Sequence, residues 1–226
     1  NKIKEVNRMK TITVKGVGNV QVKPDLVVVS MSLETIDAEY GAAMERAAGK
    51  IEKLDDALGK VGFEKHSVKT TNFDVHTEYD SVKNKDGKYE RVFLGYECSH
   101  RLKVEFDFDV KRLADVLSAL AACDVAPELS VAFTVKNPEA VSAELLRSAT
   151  KNAREKAEIL CNASGRKLGD LLSIDYNWGE LNVYSDTGYG VERACLMKAS
   201  PSLQNIDIEP DDIDTRDSAT FVWEIA

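Results

Sequence analysis

Hydrophobic and polar residues alternate over most apolar segments of the chain, which is the period of a β-strand with one buried face. The predicted strands are, in order, 11–14 with 20–22, 26–36, 67–80, 90–108, 129–135, 168–176 and 219–225. Gly16 and Gly18 interrupt the first of them, which predicts two short strands or one strand bent at a β-bulge. Asp86-Gly87 lies in a polar stretch between the third and fourth segments and predicts a hairpin turn.

Three other segments carry apolar residues every three or four positions, and each begins with a helix start signal. The predicted helices cover about 37–61, 109–122 and 137–163. In the third, Asn137-Pro138-Glu139 combines a capping side chain, a proline in the first turn and an acid near the positive end of the helix dipole. The many alanines on its inward face predict close packing of this helix on a sheet.

The order of these elements mixes hairpins with crossovers, which favours an α+β fold. We expect two-layer packing, with helices on one face of a largely antiparallel sheet, in two subdomains. The first would cover residues 10–88 and be completed by the C-terminal strand 219–225, and the second would be the helix-rich stretch 89–178. Residues 179–218 show no clear period and predict a long irregular loop, a kind of segment that is usually functional, contact-forming or mobile.

Several large side chains in this loop predict an interaction surface, since apolar groups are costly to leave in water and aromatic residues are enriched in interface cores. They are Leu181, Val183, Tyr184 and Tyr189. We therefore expect a homo-oligomer. The alternative is that the loop folds back on its own subunit and covers these residues there.

Composition narrows the class of protein. The chain has 226 residues, 43% hydrophobic and 30% charged, which is enough for a buried core. A formal net charge of -8 argues against nucleic acid as a partner, and no apolar run is long enough for a membrane-spanning helix.

The four cysteines, at 98, 123, 161 and 195, form no C-x-x-C pair and predict free, mostly buried thiols. That pattern and an N-terminus without a signal peptide indicate the cytoplasm; the alternative is a periplasmic or secreted protein whose signal has been removed.

Candidate chemistry is sparse. Gly16-x-Gly18 precedes a strand rather than a helix, so it lacks the context of a dinucleotide site. Residue parity predicts that His76 and His100 point to opposite faces of their hairpin, which would keep them from sharing a metal ion. Asp74, His76 and Glu78 share one strand face and could bind a metal weakly or act as acid and base, but a solvated strand face is the preferred interpretation. The sequence therefore indicates no catalytic, cofactor-binding or metal-binding residues.

Four ordered segments resemble the SIMPL domain family. They are G-V-G-N-V-Q-V-K-P-D at 16–25, V-K-T-T-N-F at 68–73, K-A-E at 156–158 with G-R-K-L-G at 165–169, and I-E-P at 208–210 with S-A-T-F at 218–221. The resemblance covers about residues 10–225. Asp211 stands where the family has a glycine after Pro210, and residues 179–207 match no part of the family's pattern.

The resemblance implies a two-subdomain α+β fold and membership of a group that includes bacterial envelope proteins associated with stress phenotypes and self-assembly. It supplies no catalytic residues. We therefore expect a non-enzymatic assembly or interaction protein, possessing no cofactor. The alternative is a protein that binds a small ligand or a metal with the 179–218 loop, and a third hypothesis is an unrecognised hydrolase.

Overall fold

A computed structural model describes residues 10–83, 87–125, 127–176, 179, 181–191 and 208–226. Within them the chain forms two antiparallel sheets and three helices, which confirms the predicted α+β fold. The elements are β1 (Thr11–Val22), β2 (Leu26–Asp37), α1 (Tyr40–Lys60), β3 (Lys69–Lys83), β4 (Tyr89–Asp107), α2 (Val110–Ala121), β5 (Glu128–Thr134), α3 (Pro138–Ala163), β6 (Leu168–Asp175), β7 (Tyr184–Val191) and β8 (Ile213–Ile225). None of the three helices in this part of the chain is long and apolar enough to span a membrane.

The chain divides into two compact units that differ from the predicted subdomains. One contains residues 1–23, 135–185 and 212–226, and the other contains 24–134 and 186–211. The predicted boundary at residue 88 falls instead inside the β3–β4 hairpin, whose strands pair with each other. The sequence pattern does not show that the chain leaves the first unit after residue 23 and returns to it at 135 and again at 212.

The first unit is a three-stranded sheet, β1-β8-β6, with α3 against it. Its core joins alternate residues of β1 and β8 to the alanines of α3: Val14, Ala153, Ala157, Ala219, Phe221 and Trp223. The predicted bulge at Gly16 and Gly18 is wrong, because β1 pairs with β8 without interruption from Thr11 opposite Glu224 to Val22 opposite Ile213. The glycines are needed for space: a Cβ on Gly16 would overlap the Ala149 carbonyl oxygen, and one on Gly18 would overlap that of Leu145.

Side chains of α3 also bond to the outer edge of β1. The Val17 N–H donates to Asn152 Oδ1 at 3.0 Å, and the Asn19 N–H donates to Ser148 Oγ at 3.4 Å. Lys156 Nζ donates to the Lys15 carbonyl at 3.2 Å. The spacings match, since four helical residues rise about 6.0 Å and two strand residues about 6.6 Å. This side of the sheet is therefore protected against pairing with another strand.

The second unit is a five-stranded sheet in the order β3-β4-β2-β5-β7. Its core takes alternate residues of β2, β4 and β5 and the inward faces of α1 and α2, as the predicted two-layer packing requires. The most deeply buried members include Val27, Val29, Leu54, Val116, Leu120 and Phe133. Because both helices contribute to one core, they cover one face of the sheet; we call the opposite face the outer face.

The structure also tests the predictions for the 179–218 segment and for the cysteines. The 179–218 segment is not wholly irregular, since it contains β7 and the first residues of β8. β7 carries two glycines and several small polar residues, so its strand form comes from pairing in the sheet rather than from its own alternation. Of the cysteines, Cys98 and Cys161 are free and buried and Cys123 is free and half-buried. Cys195 lies outside the described residues.

Candidate functional site

The register of the β3–β4 hairpin decides where its polar residues lie. His100 pairs with Phe73, and His76 pairs with Glu97. Directly paired residues share a face, and neighbours along a strand alternate between faces. His100 lies on the buried face with Leu102, so His76 and Glu97 lie on the outer face. The prediction that the two imidazoles point to opposite faces is confirmed by this register.

A compact polar group stands on the outer face at His76. His76 Nδ1 lies 3.2 Å from Asp74 Oδ2, and His76 Nε2 lies 3.6 Å from Glu78 Oε2. Glu97 joins them from β4, so that one ligand atom each from His76, Glu78 and Glu97 lie within 4.8 Å of one another. Sequence reasoning grouped Asp74, His76 and Glu78 but missed Glu97, because only the strand register brings it alongside.

His100 occupies a buried and different setting. Its Nε2 lies 2.9 Å from Thr70 Oγ1, its ring packs edge-on to Phe73, and its Nδ1 is buried without a hydrogen-bond partner. Burial lowers the pKa of His100 below its ordinary value of 6.5. The imidazole is therefore held in its neutral form in the fold, where it fills space under the edge strand β3.

This burial makes stability depend on pH. Because the pKa of His100 is lowered in the folded state, the unfolded chain takes up the proton first as pH falls. Above about pH 6.5 the imidazole is neutral in both states, so His100 adds no pH dependence there; below it the free energy of unfolding decreases, by at most about 1.4 kcal/mol per pH unit for one proton. Denaturant unfolding between pH 8 and pH 5 should show a shallower decrease in His100→Leu than in the wild type. The exposed His66 offers the control: His66→Asn should keep the wild-type dependence, and a His100→Leu profile parallel to it would contradict the assignment.

An open cavity of about 570 Å³ also lies in the second unit. Hydroxyl and charged groups from four strands line much of it: Ser30, Ser32, Thr71, Arg101, Glu128 and Ser130. Gly190 closes one side, and it belongs to the 179–218 segment that was predicted to form a binding loop. Met31, Leu102 and Leu129 complete the lining, which is suited to a small molecule with both polar and apolar parts.

The four residues of the predicted interaction surface do not share one environment. Val183 is buried in a core with Val135, Leu145 and Ile213, and Leu181 packs against that core. Tyr189 packs against the core of the five-stranded sheet, whereas Tyr184 is exposed. Three of the four therefore follow the alternative interpretation, in which the segment folds back on its own subunit.

Another group of exposed apolar side chains lies on the hairpin. β2 pairs with β4 only as far as Asp37 opposite Tyr96, whereas β3 and β4 continue to Lys83 opposite Tyr89. We call the two-stranded extension, residues 77–83 and 87–95, the hairpin arm. Its exposed large side chains are Tyr79, Val82, Tyr89, Val92, Phe93 and Leu94. The sequence did contain a signal: three consecutive apolar residues at 92–94 break the alternation that a half-buried strand requires.

The chain resembles several known proteins over most of its length. The model of the SIMPL family, described as a protein of unknown function (DUF541), matches residues 12–223. The 26 kDa periplasmic immunogenic protein of Brucella abortus (strain S19) is 29% identical over 175 residues, covering 74% of this chain and 68% of the relative. The uncharacterized protein YggE of Escherichia coli (strain K12) is 22% identical over 166 residues, covering 74% and 65%.

Several residues of the SIMPL-like motifs have structural roles in the fold. Gly16 and Gly18 admit α3 to β1, and Lys156 bonds to the β1 edge beside the buried Ala157. Gly165 follows α3 with a φ of 68°, a left-handed conformation that glycine adopts without strain. These motif residues identify a scaffold and supply no reactive group.

Proposed function

The chain belongs to the SIMPL family, and from that premise we propose that it is a non-enzymatic assembly protein whose hairpin arm packs against a second copy of the chain. The observation that carries the proposal is the exposed apolar surface of the arm. A two-stranded ribbon is marginally stable in water by itself. By its register, Tyr79, Phe93 and Tyr89 lie on one face of this ribbon and Val82 and Val92 on the other, so both faces expose apolar side chains of the kind that mark interaction sites. Contact with another subunit would stabilise the ribbon and cover its exposed apolar side chains.

The arm is ordered internally by ring contacts, which favours a preformed contact surface. Tyr79 and Phe93 stack edge to face with centroids 5.5 Å apart, and Phe93 and Tyr96 do the same at 5.5 Å. The Arg91 guanidinium lies 4.2 Å from the centroid of the Tyr79 ring. A surface already held in place loses less conformational entropy on binding than a flexible loop would.

A second apolar surface on the other unit supports assembly between identical chains. β6 lies at the edge of its sheet, and Leu171, Leu172 and Ile174 on it are exposed. Whereas α3 protects the β1 edge with side-chain hydrogen bonds, β6 carries these exposed apolar side chains at a sheet edge, and exposed apolar edge strands pair readily with another strand. If the hairpin arm of one chain contacts the β6 edge of the next, the contact is head-to-tail, and such contacts build rings or larger assemblies.

Light scattering after size exclusion tests this proposal directly. At micromolar concentration the full chain should elute with a mass that is a multiple of 25.0 kDa. A monomeric mass that persists up to about 100 µM, a concentration well above the range of specific protein contacts, would contradict it.

A second candidate function is the binding of a small molecule in the cavity of the second unit. The hydroxyl groups of Ser30 and Ser130 and the charges of Arg101 and Glu128 favour a ligand that carries both polar and ionic groups. Native mass spectrometry distinguishes the two functions, since it reports the subunit number and any retained ligand. A retained small molecule that disappears in Arg101→Ala would favour ligand binding.

We propose that the protein is periplasmic, on the basis of its named relative and against the cytoplasmic location that the cysteine pattern indicated. The Brucella protein is named as periplasmic, and the same location suits an assembly protein of the cell envelope with a role under stress. Burial of Cys98 and Cys161 would shield both thiols from the oxidising conditions there. Cell fractionation of the natural protein checks the location, and recovery in the cytoplasm alone would contradict it.

A further inference from the structure

We infer that His76, Glu78 and Glu97 form an exchangeable site for a divalent first-row transition metal ion, with Asp74 orienting the imidazole. The site lies on the outer face of the hairpin and does not depend on the proposed assembly. Neither strand alone contains it, because Glu97 comes from β4 and the other three residues come from β3.

The distances suit a metal ion. Ligands at about 2.0–2.2 Å from zinc stand roughly 3.4 Å apart when they are tetrahedral, and His76 Nε2 already lies 3.6 Å from Glu78 Oε2. A ligand atom of Glu97 lies within 4.8 Å of both. Closing that gap needs only a rotation of the long glutamate side chains, which are partly exposed.

Asp74 has the position of an outer carboxylate in a metal site. Its Oδ2 lies 3.2 Å from His76 Nδ1, so an Nδ1–H group can donate a hydrogen bond to the carboxylate. In that tautomer Nε2 carries no proton, and its lone pair is available to a metal ion. Histidine ligands of metal ions almost always donate their second ring N–H to a carboxylate, a backbone carbonyl or water, and this hydrogen bond fixes the tautomer and the ring orientation. The arrangement of Asp74, His76 and Glu78 at alternate positions of one strand therefore divides into one orienting residue and two ligands.

Charge favours occupation by a cation. Asp74, Glu78 and Glu97 place three carboxylates around one imidazole, and like charges this close repel one another. One nitrogen and two oxygen ligands suit Zn²⁺, Co²⁺ or Mn²⁺ rather than a soft ion such as Cu⁺. The His76 side chain is 46% exposed, so water fills the remaining positions and the ion exchanges readily. This is a site of moderate affinity, and its occupant would be lost on purification in chelating buffers.

Calorimetric titration of the full, untagged chain with ZnCl₂ at pH 7.5 tests the inference, and Co²⁺ absorption spectroscopy provides a second readout. We expect one equivalent of Zn²⁺ per chain to bind saturably. His76→Gln and Glu97→Gln should each weaken binding at least about 10-fold by removing a ligand. Asp74→Asn should weaken binding about 10-fold while the visible Co²⁺ spectrum still forms, because the ligands remain.

His66→Asn is the matched control, because His66 is an exposed histidine on the loop before β3, and it should bind as the wild type does. Circular dichroism of each variant establishes that it is folded. Non-saturable binding to the wild type would overturn the inference, as would equal loss in His66→Asn and His76→Gln. Because the readout is metal affinity, these outcomes are independent of whether the chain assembles.

Discussion

Gly16→Ala is expected to destabilise the protein by about 3 kcal/mol, because the added methyl group has no room. The added Cβ would overlap the Ala149 carbonyl oxygen and the Ala153 Cβ, which belong to the backbone and the buried face of α3. Neither atom can rotate away, so the helix must move off the strand. Urea unfolding followed by circular dichroism measures the change as a lower midpoint.

The same displacement should open the edge of β1. Asn152 and Ser148 accept hydrogen bonds from the Val17 and Asn19 amides only while α3 lies close to the strand. Hydrogen exchange at these two amides should therefore accelerate in Gly16→Ala, beyond the change expected from lower global stability.

Gly49→Ala provides the control for this prediction. Gly49 lies in α1, and a Cβ there would meet no atom within 4 Å. Alanine is the better helix former, so this variant should be neutral or more stable by up to about 1 kcal/mol. Equal destabilisation of the two variants would show that Gly16 is not a close-packing position.

Charging the hairpin arm is expected to convert the assembly to monomers. Val92→Lys with Leu94→Lys places two ammonium groups on a surface that the proposed contact would bury. An unpaired charge buried in an interface costs several kcal/mol, which corresponds to a loss of at least about 100-fold in affinity. Light scattering should then give the mass of one chain at concentrations where the wild type is oligomeric.

Ile159→Lys is the matched control for the arm variant. Ile159 is also a large exposed apolar residue, but it lies on α3. It should leave the mass unchanged if the arm makes the contact. An oligomer that survives the arm variant and dissociates with Leu172→Lys would instead assign the contact to the β6 edge, and one that survives both would rule out the proposed surfaces.

The strands and helices other than β7 could be predicted because they depend on local chemistry. The period in 26–36 marks a strand with one buried face, and Asn137 caps α3 as expected, accepting a hydrogen bond from the Ala140 N–H. The division into units could not be predicted, because it depends on which distant strands pair. β1 and β8 lie at opposite ends of the sequence, and only their register unites them.

The candidate surfaces divide in the same way. Sequence parity was enough to separate His76 from His100, since alternation along a strand is a local property. It could not supply Glu97, because the partner of a strand residue depends on the register of the hairpin. It also placed the interaction surface at Val183, whose large side chain is equally suited to a core, and burial is decided by what packs around it.

The sequence by itself determined the α+β class, the starts of α2 and α3 and the family, because capping, periodicity and short motifs act over a few residues. The predicted start of the first helix at residue 37 is wrong, since Asp37 ends β2 and α1 begins at Tyr40 without a side-chain cap. The tertiary structure alone decided why Gly16 and Gly18 are glycine, which sheet edge is protected, how far the hairpin extends beyond its neighbour β2 and which carboxylates surround His76. Each of these depends on atoms that are far apart in the chain and meet only after the helix has packed and the strands have paired.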